Sequence, residues 1–387
     1  MSTSQSSPIS VQVVDPPAFT PPYDRALCGA LVDAGLDVEL ITSRFVHGPV
    51  PEARGYLVDE RFYRLADRIG ARHSSLRRLA RGLEHVPEMI SFRRASQADG
   101  SPDVIHWQWL PVPGIDAHLI GGPQPRVFTM HWRLPAVESR LGRQLTRLLS
   151  RFDAVVVHTE HGAKRLVEEF EVSPERIEVI PHGSLDYLEG QATELPLAKE
   201  LAEVEAPVVL AFGLVRPYKG TDLLIEALDR IPDAELWVVG KPLMDMTELR
   251  RLADLRPGRV RFVDRFIPDE EIPAFMKRAD VVCLPYLNIE QSGVLYAALA
   301  FGKPLVLSDV GGFPEIAAEG AARLVPAGDV EALGETLSEL LASPDELRAL
   351  GEASLRASKS RYSWTRIGEQ TASLYRRLLD STGGSSG

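Results

Sequence analysis

The feature that constrains this chain most is a repeated alternation of short, nearly continuous β-branched runs, each followed by a stretch with helical spacing. The run at 11–14 leads to a helix expected over 23–34, where Tyr23, Leu27, Ala30, Leu31 and Ala34 share one face. Further strands are expected at 38–42, 104–107, 127–130, 154–157 and 177–180. A second series follows at 208–212, 236–239, 260–263, 281–284, 305–307 and 322–325. Runs that are apolar throughout, rather than alternating, are strands buried on both faces, and helical crossovers between them make their neighbours parallel. The fold class read from the sequence is therefore α/β, with two Rossmann-like, doubly wound domains.

A length of 387 residues suits two such domains rather than one core. The polar stretch LDYLEGQATELPLAKELAEVEAP after Pro181 is the linker candidate. The expected division is an N-terminal domain over 1–200 and a C-terminal domain over 201–362. A last helix over 363–380, with Trp364, Ile367, Leu374 and Leu378, has no following strand and is expected to pack across both domains. The Gly/Ser-rich end, 381–387, is expected to be disordered. In open α/β sheets ligands bind outside the carboxyl ends of the strands, so the loops after Val14, Met130, Phe212 and Leu284 are expected to line an interdomain cleft.

Composition removes several classes. Lys plus Arg total 43 against 54 for Asp plus Glu, a net charge of −11, so no global positive field draws the chain to nucleic acid. The only cysteines, Cys28 and Cys283, lie far apart in apolar segments, which supports neither a disulfide scaffold nor a cysteine-ligated zinc site. The start MSTSQSSPIS is unlike a secretory signal, and no apolar run is long enough to span a bilayer, so a cytoplasmic location is expected.

Two segments carry candidate chemistry. In AFGLVRPYKGTDLLIEAL a buried strand ends at Phe212 and a turn presents Gly213, Arg216, Lys219 and Gly220 before a helix starting near Thr221. Arg grips phosphate oxygens bidentately and Lys supplies a mobile point charge, a combination suited to a diphosphate. The bland alternative is a polar turn with Thr221 as N-cap. In LPYLNIEQSGVLYAALAFGKPLVLSDVGGFPEI a strand ends at Leu284, Ser292-Gly293-Val294 opens a helix and Gly302 stops it. Free N–H groups at such a helix start bind anions, although Ser292 acting only as a structural cap is the competing reading.

Together with these residues, the segments FTMHWRLP, VVVHTEHGAKRL, IEVIPHGSLDY, AFGLVRPYKG, LWVVG, VRFVDRFIPDEEIPAFMKRADVVCLPY and SGVLYAALAFGKPLVLSDVGGFPE resemble, in order and spacing, the family 4 glycosyltransferases of GT-B fold. The resemblance covers most of the chain. It implies transfer of a sugar from a UDP- or GDP-linked donor to an acceptor with retention of configuration, without cofactor or essential metal; no Asp-x-Asp triplet is present. It places Arg216 and Lys219 on the donor phosphates, with Gly213 in their turn and Ser292, Gly293 and Val294 at the receiving helix start. Arg265, Phe266 and Ile267 fall where the nucleotide base is held, Glu290 where sugar hydroxyls are bound, and His131 beside the transferred sugar. His131, Arg216, Lys219 and Glu290 are the catalytic candidates. The Pro-rich loop VVDPPAFTPPYD replaces the family's glycine-rich one, and Asp15 and Tyr23 join His131 as candidates for the acceptor or sugar pocket.

One departure stands out: the family's second glutamate falls at Tyr296, Ala297 or Ala298, where there is no carboxylate. This keeps open a catalytically weak nucleotide-sugar-binding subunit, and an epimerase acting on UDP-N-acetylglucosamine shares the architecture. No Gly-x-Gly-x-x-Gly follows the first strand, which disfavours a dinucleotide-binding oxidoreductase. Between Arg61 and Arg94 the chain is locally basic, with Arg64, Arg68, Arg72, Arg77, Arg78, Arg81 and Arg93. Such a segment either meets an anionic membrane surface or lipid-linked acceptor, or is a solvated helical face.

Overall fold

In the computed structural model, which describes residues 7–46, 48–68, 74–98, 100–191, 194–231 and 233–383, the alternation resolves into two parallel sheets. The first holds β1 (Ser10–Asp15), β2 (Asp37–Ser43), β3 (Leu57–Phe62), β4 (Val104–Trp107), β5 (Arg126–Thr129), β6 (Ala154–Val157) and β7 (Ile177–Val179), in the order β3-β2-β1-β4-β5-β6-β7. The second holds β8 (Val208–Phe212), β9 (Glu235–Val239), β10 (Val260–Val263), β11 (Val281–Leu284), β12 (Leu305–Ser308) and β13 (Ala322–Val325), in the order β10-β9-β8-β11-β12-β13. Every strand pairing is parallel; Val11, for example, sits between Val38 on β2 and Val104 on β4. Both sheets are thus doubly wound, with helices over both faces, and β4, β6, β11 and β12 are buried along their whole length.

Both sheets reverse direction beside their first strand, between β1 and β4 and between β8 and β11. Loops leaving the carboxyl ends of these strands splay apart and leave a crevice there. The residues that follow Asp15, Trp107, Phe212 and Leu284 are therefore placed for function by topology alone.

The domain expectations need correction. The chain divides into Met1–Pro181 with Trp364–Gly387 and His182–Ser363, so the first boundary lies at Pro181 rather than at 200. The polar stretch taken as a linker belongs to the second unit because its few apolar residues are used there: Leu188 and Leu201 are buried in that core, and Leu185 N–H donates to the Tyr296 carbonyl. The last helix, Trp364–Gly383, belongs to the first unit. Ile367, Ala372, Leu374 and Tyr375 enter the core with Leu27 and Leu31 of the Pro21–Asp33 helix. Gly368 makes this crossing close, since a Cβ there would stand 2.4 Å from the Ala30 carbonyl oxygen. The Tyr375 hydroxyl bonds His106 Nδ1 at 2.6 Å, and Arg377 pairs with Glu178 at 2.6 Å. Residues 381–383, expected to be disordered, are helical; 384–387 lie outside the described residues.

Candidate functional site

In the second unit, β8 ends in a turn that sequence reasoning singled out, and the geometry explains its glycines. Gly220 has φ +63, and a Cβ there would meet the Pro285 carbonyl oxygen at 2.2 Å, so the turn closes directly against the β11 loop. Gly220, not Thr221, is the N-cap residue, and no side chain caps this helix. Thr221 is the first helical residue, so the capping alternative fails. Gly213, at φ +93, is hemmed in by two side chains: a Cβ there would lie 3.2 Å from Lys219 Nζ and 3.0 Å from Val294 Cγ2. Lys219 and the start of the Gly293–Ala300 helix thus converge on one spot at the end of β8.

The Lys219 ammonium donates to the Phe212 carbonyl oxygen at 3.5 Å and sits 5.1 Å from the Tyr286 ring centroid. Burial, with the nearby Arg216 charge, pushes its pKa from 10.5 down to about 8. Arg216 itself is exposed. A largely buried cation with a second cation beside it and no carboxylate partner among the described residues is poised to receive an anion.

The helix start complements it. Ser292 is the N-cap residue, yet its side chain makes no capping bond; its hydroxyl instead lies 3.4 Å from the Tyr286 hydroxyl. The N–H groups of Gly293 and Val294 have no hydrogen-bond partner among the described residues, as expected at a helix start. Nothing lies within 4 Å of a Cβ built on Gly293, so the side of the helix start where a side chain would stand is open. The remaining candidates flank the site less closely. Glu290 is half-buried in the preceding loop, and its carbonyl accepts from Gly312 N–H at 3.3 Å. Arg265 is ion-paired with Glu271 at 2.5 Å, Phe266 exposes its ring, and Ile267 is buried. Across the three positions open to the missing carboxylate, Tyr296, Ala297 and Ala298 are all buried, and Tyr296 stacks on His182 at 4.4 Å between centroids.

In the first unit, His131 follows β5 and is held on several sides. Its ring stacks on Trp109 at 5.2 Å and meets the edge of Tyr23 at 4.7 Å. Its Nδ1 lies 3.3 Å from His158 Nε2, and its Nε2 lies 3.0 Å from the Gln108 side chain. The proton positions follow from His158. Its Nδ1 faces the Ile180 carbonyl oxygen at 2.9 Å, an acceptor only, so Nδ1 carries the hydrogen. Burial pushes the His158 pKa down to about 4, so near neutrality its Nε2 is a lone pair that accepts from His131 Nδ1–H. Gln108 is fully buried, and its Oε1 faces the opposite nitrogen, Nε2, so the ring lies between two acceptors, one at each nitrogen, and donates to both only as the imidazolium.

Tyr23 and Asp15 are deeper than a pocket wall requires. Tyr23 is buried, supports the faces of His131 and His158, and hydrogen-bonds Thr129, which in turn holds His106 Nε2 at 2.7 Å. Asp15 is fully buried at the end of β1, with one oxygen accepting from Phe19 N–H at 2.8 Å. Burial raises its pKa to about 6 and that of neighbouring Asp24 well above the carboxylate range. These two stabilise the Pro-rich loop rather than offering a free carboxylate. Gln108, Trp109 and His158 were missed from sequence; the signal was their place directly after β4 and β6, at the same strand ends as His131. Among the described residues no cluster of three His, Cys, Asp or Glu could hold a metal ion.

The comparisons with known proteins agree with this layout. Residues 25–184 match the family described as Glycosyltransferase Family 4, and residues 206–343 match Glycosyl transferases group 1. The chain is 30% identical over 266 residues to the MMP alpha-(1->4)-mannosyltransferase of Mycolicibacterium hassiacum, covering 64% of this chain and 60% of the relative. It is 34% identical over 182 residues to the GDP-mannose-dependent alpha-(1-6)-phosphatidylinositol monomannoside mannosyltransferase of Mycolicibacterium smegmatis, covering 44% and 48%. The chain thus spans between about half and three fifths of these relatives. The structure of Anabaena Alr3699/HepE in complex with UDP shares the fold, with a TM-score of 0.70 at 17% identity, covering 95% of this chain and 100% of that one. With both halves matched in order on two doubly wound units of the GT-B type, the chain belongs to the family 4 glycosyltransferases.

Proposed function

We propose that the chain transfers a sugar from a UDP- or GDP-linked donor to an acceptor with retention of anomeric configuration, using no cofactor and no essential metal. The observation that carries this reading is the convergence of Lys219 and the Gly293–Ala300 helix start on Gly213, with Arg216 alongside. When a glycosyl bond to diphosphate breaks, negative charge grows on the leaving oxygens. Here an ammonium and two unused N–H groups converge on one spot, with the exposed Arg216 close enough to act on Lys219, which supports a role in stabilising that charge. The intact donor diphosphate already carries negative charge and cleavage adds more, so these cations and N–H groups bind the leaving diphosphate more strongly than the donor.

In this reading Arg265, Phe266 and Ile267 hold the base, Glu290 binds sugar hydroxyls, and His131 contacts the transferred sugar with its ring pinned by Trp109, His158 and Gln108. A donor phosphate oxygen takes the proton of the attacking acceptor hydroxyl, so no protein base is required. The donor base has support from two directions: a UDP complex for a protein of the same fold and a GDP-mannose-dependent relative. A cytoplasmic location is part of the proposal, and no nucleic acid is involved.

The absence of a carboxylate at buried Tyr296, Ala297 and Ala298 favours one rival, a subunit that binds sugar nucleotides without turning them over. Incubation with labelled UDP- and GDP-sugars plus acceptor extracts distinguishes the readings. Release of nucleoside diphosphate with acceptor-dependent transfer supports the transferase. Tight binding without release supports the subunit, and conversion of UDP-N-acetylglucosamine without any acceptor supports an epimerase.

A further inference from the structure

The basic segment of the first unit forms a surface that the proposed sugar chemistry does not use. It consists of the short helix Arg64–Arg68 and the helix Ser74–Ala95; Arg72 lies outside the described residues. Its acids are turned inward. Glu84 accepts the N–H groups of Leu65 and Ala66, both at 2.8 Å, and Glu88 accepts that of Tyr63 at 2.7 Å. Asp67 pairs with Arg77 at 3.0 Å and Arg81 at 3.2 Å, while His85 bridges Tyr63 and buried Asp116.

What remains outside is apolar and positive. Leu76, Leu79 and Leu83 are 56%, 63% and 72% exposed, and Ile90 is 37% exposed. Spaced by three, four and seven, they form one stripe along the helix. Arg78, Arg93 and Arg94 are exposed and make no ion pair among the described residues; exposed Leu65 and Arg68, with Arg64 paired to Asp59 at 3.6 Å, extend the patch onto the shorter helix. A merely solvated face would turn its charges outward and its leucines inward. This one presents leucines and arginines outward together and keeps its acids engaged inside, in a chain of net charge −11.

We propose that this face docks on an anionic lipid surface, with the leucines at the headgroup–acyl boundary and the arginines on lipid phosphates. Charge complementarity selects this occupant over a second copy of the chain, because two such faces brought together would oppose arginines, while the acids of both helices are already engaged. No helix of the described residues is long and apolar enough to cross a membrane, so attachment is peripheral. The proposal stands apart from the sugar-transfer reading, since none of these residues belongs to either candidate site.

The test is co-sedimentation of the full chain with vesicles of phosphatidylcholine alone or mixed with phosphatidylglycerol. The expected result is binding to the mixed vesicles only, weakened by salt. The pair Leu79→Ser with Leu83→Ser lowers affinity about tenfold or more. Arg78→Gln and Arg94→Gln each lower it about fivefold. All variants keep the parent circular dichroism and thermal midpoint, because the changed side chains are exposed. Failure of the parent to bind, or equal binding by the leucine variant, overturns the proposal. So does a concentration-dependent dimer of the parent, seen by light scattering and abolished by the leucine changes, which would make a second copy the occupant.

Discussion

Replacing Lys219 with Met should make the ligand-free protein more stable while impairing its proposed function. The ammonium is largely buried, and the fall of its pKa from 10.5 to about 8 means the folded state resists its charge. That displacement corresponds to about 3 kcal/mol of destabilisation wherever the group is protonated. Loss of the contact with Tyr286 returns about 0.5–1 kcal/mol, leaving a net gain of about 2 kcal/mol for the variant. The sign fixes the pH window. Between pH 8 and 10.5 the unfolded chain binds a proton that the folded chain does not, so parent stability rises with pH there and the variant's advantage shrinks. Urea unfolding of both proteins at steps from pH 7 to above 10.5 measures this. Lys219→Met should be the more stable below pH 8 and lose that lead by 10.5, with weaker nucleoside diphosphate binding throughout. A variant less stable than the parent at pH 7, or a difference that does not change with pH, would refute the account of Lys219 as a cation held in reserve for an anion.

Gly220→Ala combines a left-handed backbone with an approach of 2.2 Å to the Pro285 carbonyl oxygen, and should cost about 2–4 kcal/mol in urea unfolding while displacing the cationic turn. His106 and His158 are held neutral by burial, with pKa values pushed from 6.5 to about 3 and about 4. Each therefore supplies stability that is present above pH 6.5 and lost as pH falls, about 2 kcal/mol per histidine by pH 5. Asp15 and Asp24 act in the opposite direction, so the measure is the difference in acid-limb slope between the parent and His106→Gln, which should be shallower. Nitrogen-15 NMR of labelled histidine should show His158 protonated at Nδ1, as its bond to the Ile180 carbonyl requires; an Nε2–H tautomer of His158 would contradict its role as acceptor toward His131.

Much of the architecture was legible because strands buried on both faces announce themselves as unbroken apolar runs: β4, β6 and β11 lie where the sequence places them, residue for residue, and the regular strand–helix alternation of the second half located β8 and the edge strands β10 and β13 as well. The edge strand β3, LVDERF, escaped notice because an edge exposed to water tolerates charge and loses the apolar signal. The domain boundary was misjudged for a related reason. Residues 185–207 are polar on average, but Leu188 and Leu201 suffice to anchor them to the second core, and averages hide anchors. The last helix was assigned an apolar stripe correctly, yet only the Gly368 contact with Ala30 and the Tyr375 bond to His106 reveal which unit receives it. At the site, Arg216, Lys219 and Gly293 were visible because glycine and cations punctuate a strand end. Gln108 and His158 were not, since their role depends on hydrogen bonds across neighbouring strands of a sheet.

The measurement that bears most directly on the central claim is calorimetric titration of the intact chain with UDP and GDP, repeated with Arg216→Ala and Lys219→Ala. The account predicts that the parent binds one of these nucleotides without added metal and that each substitution weakens binding by about tenfold or more, as expected for loss of a charge-assisted phosphate contact. Absence of binding by the parent, or equal affinity in both variants, would contradict it.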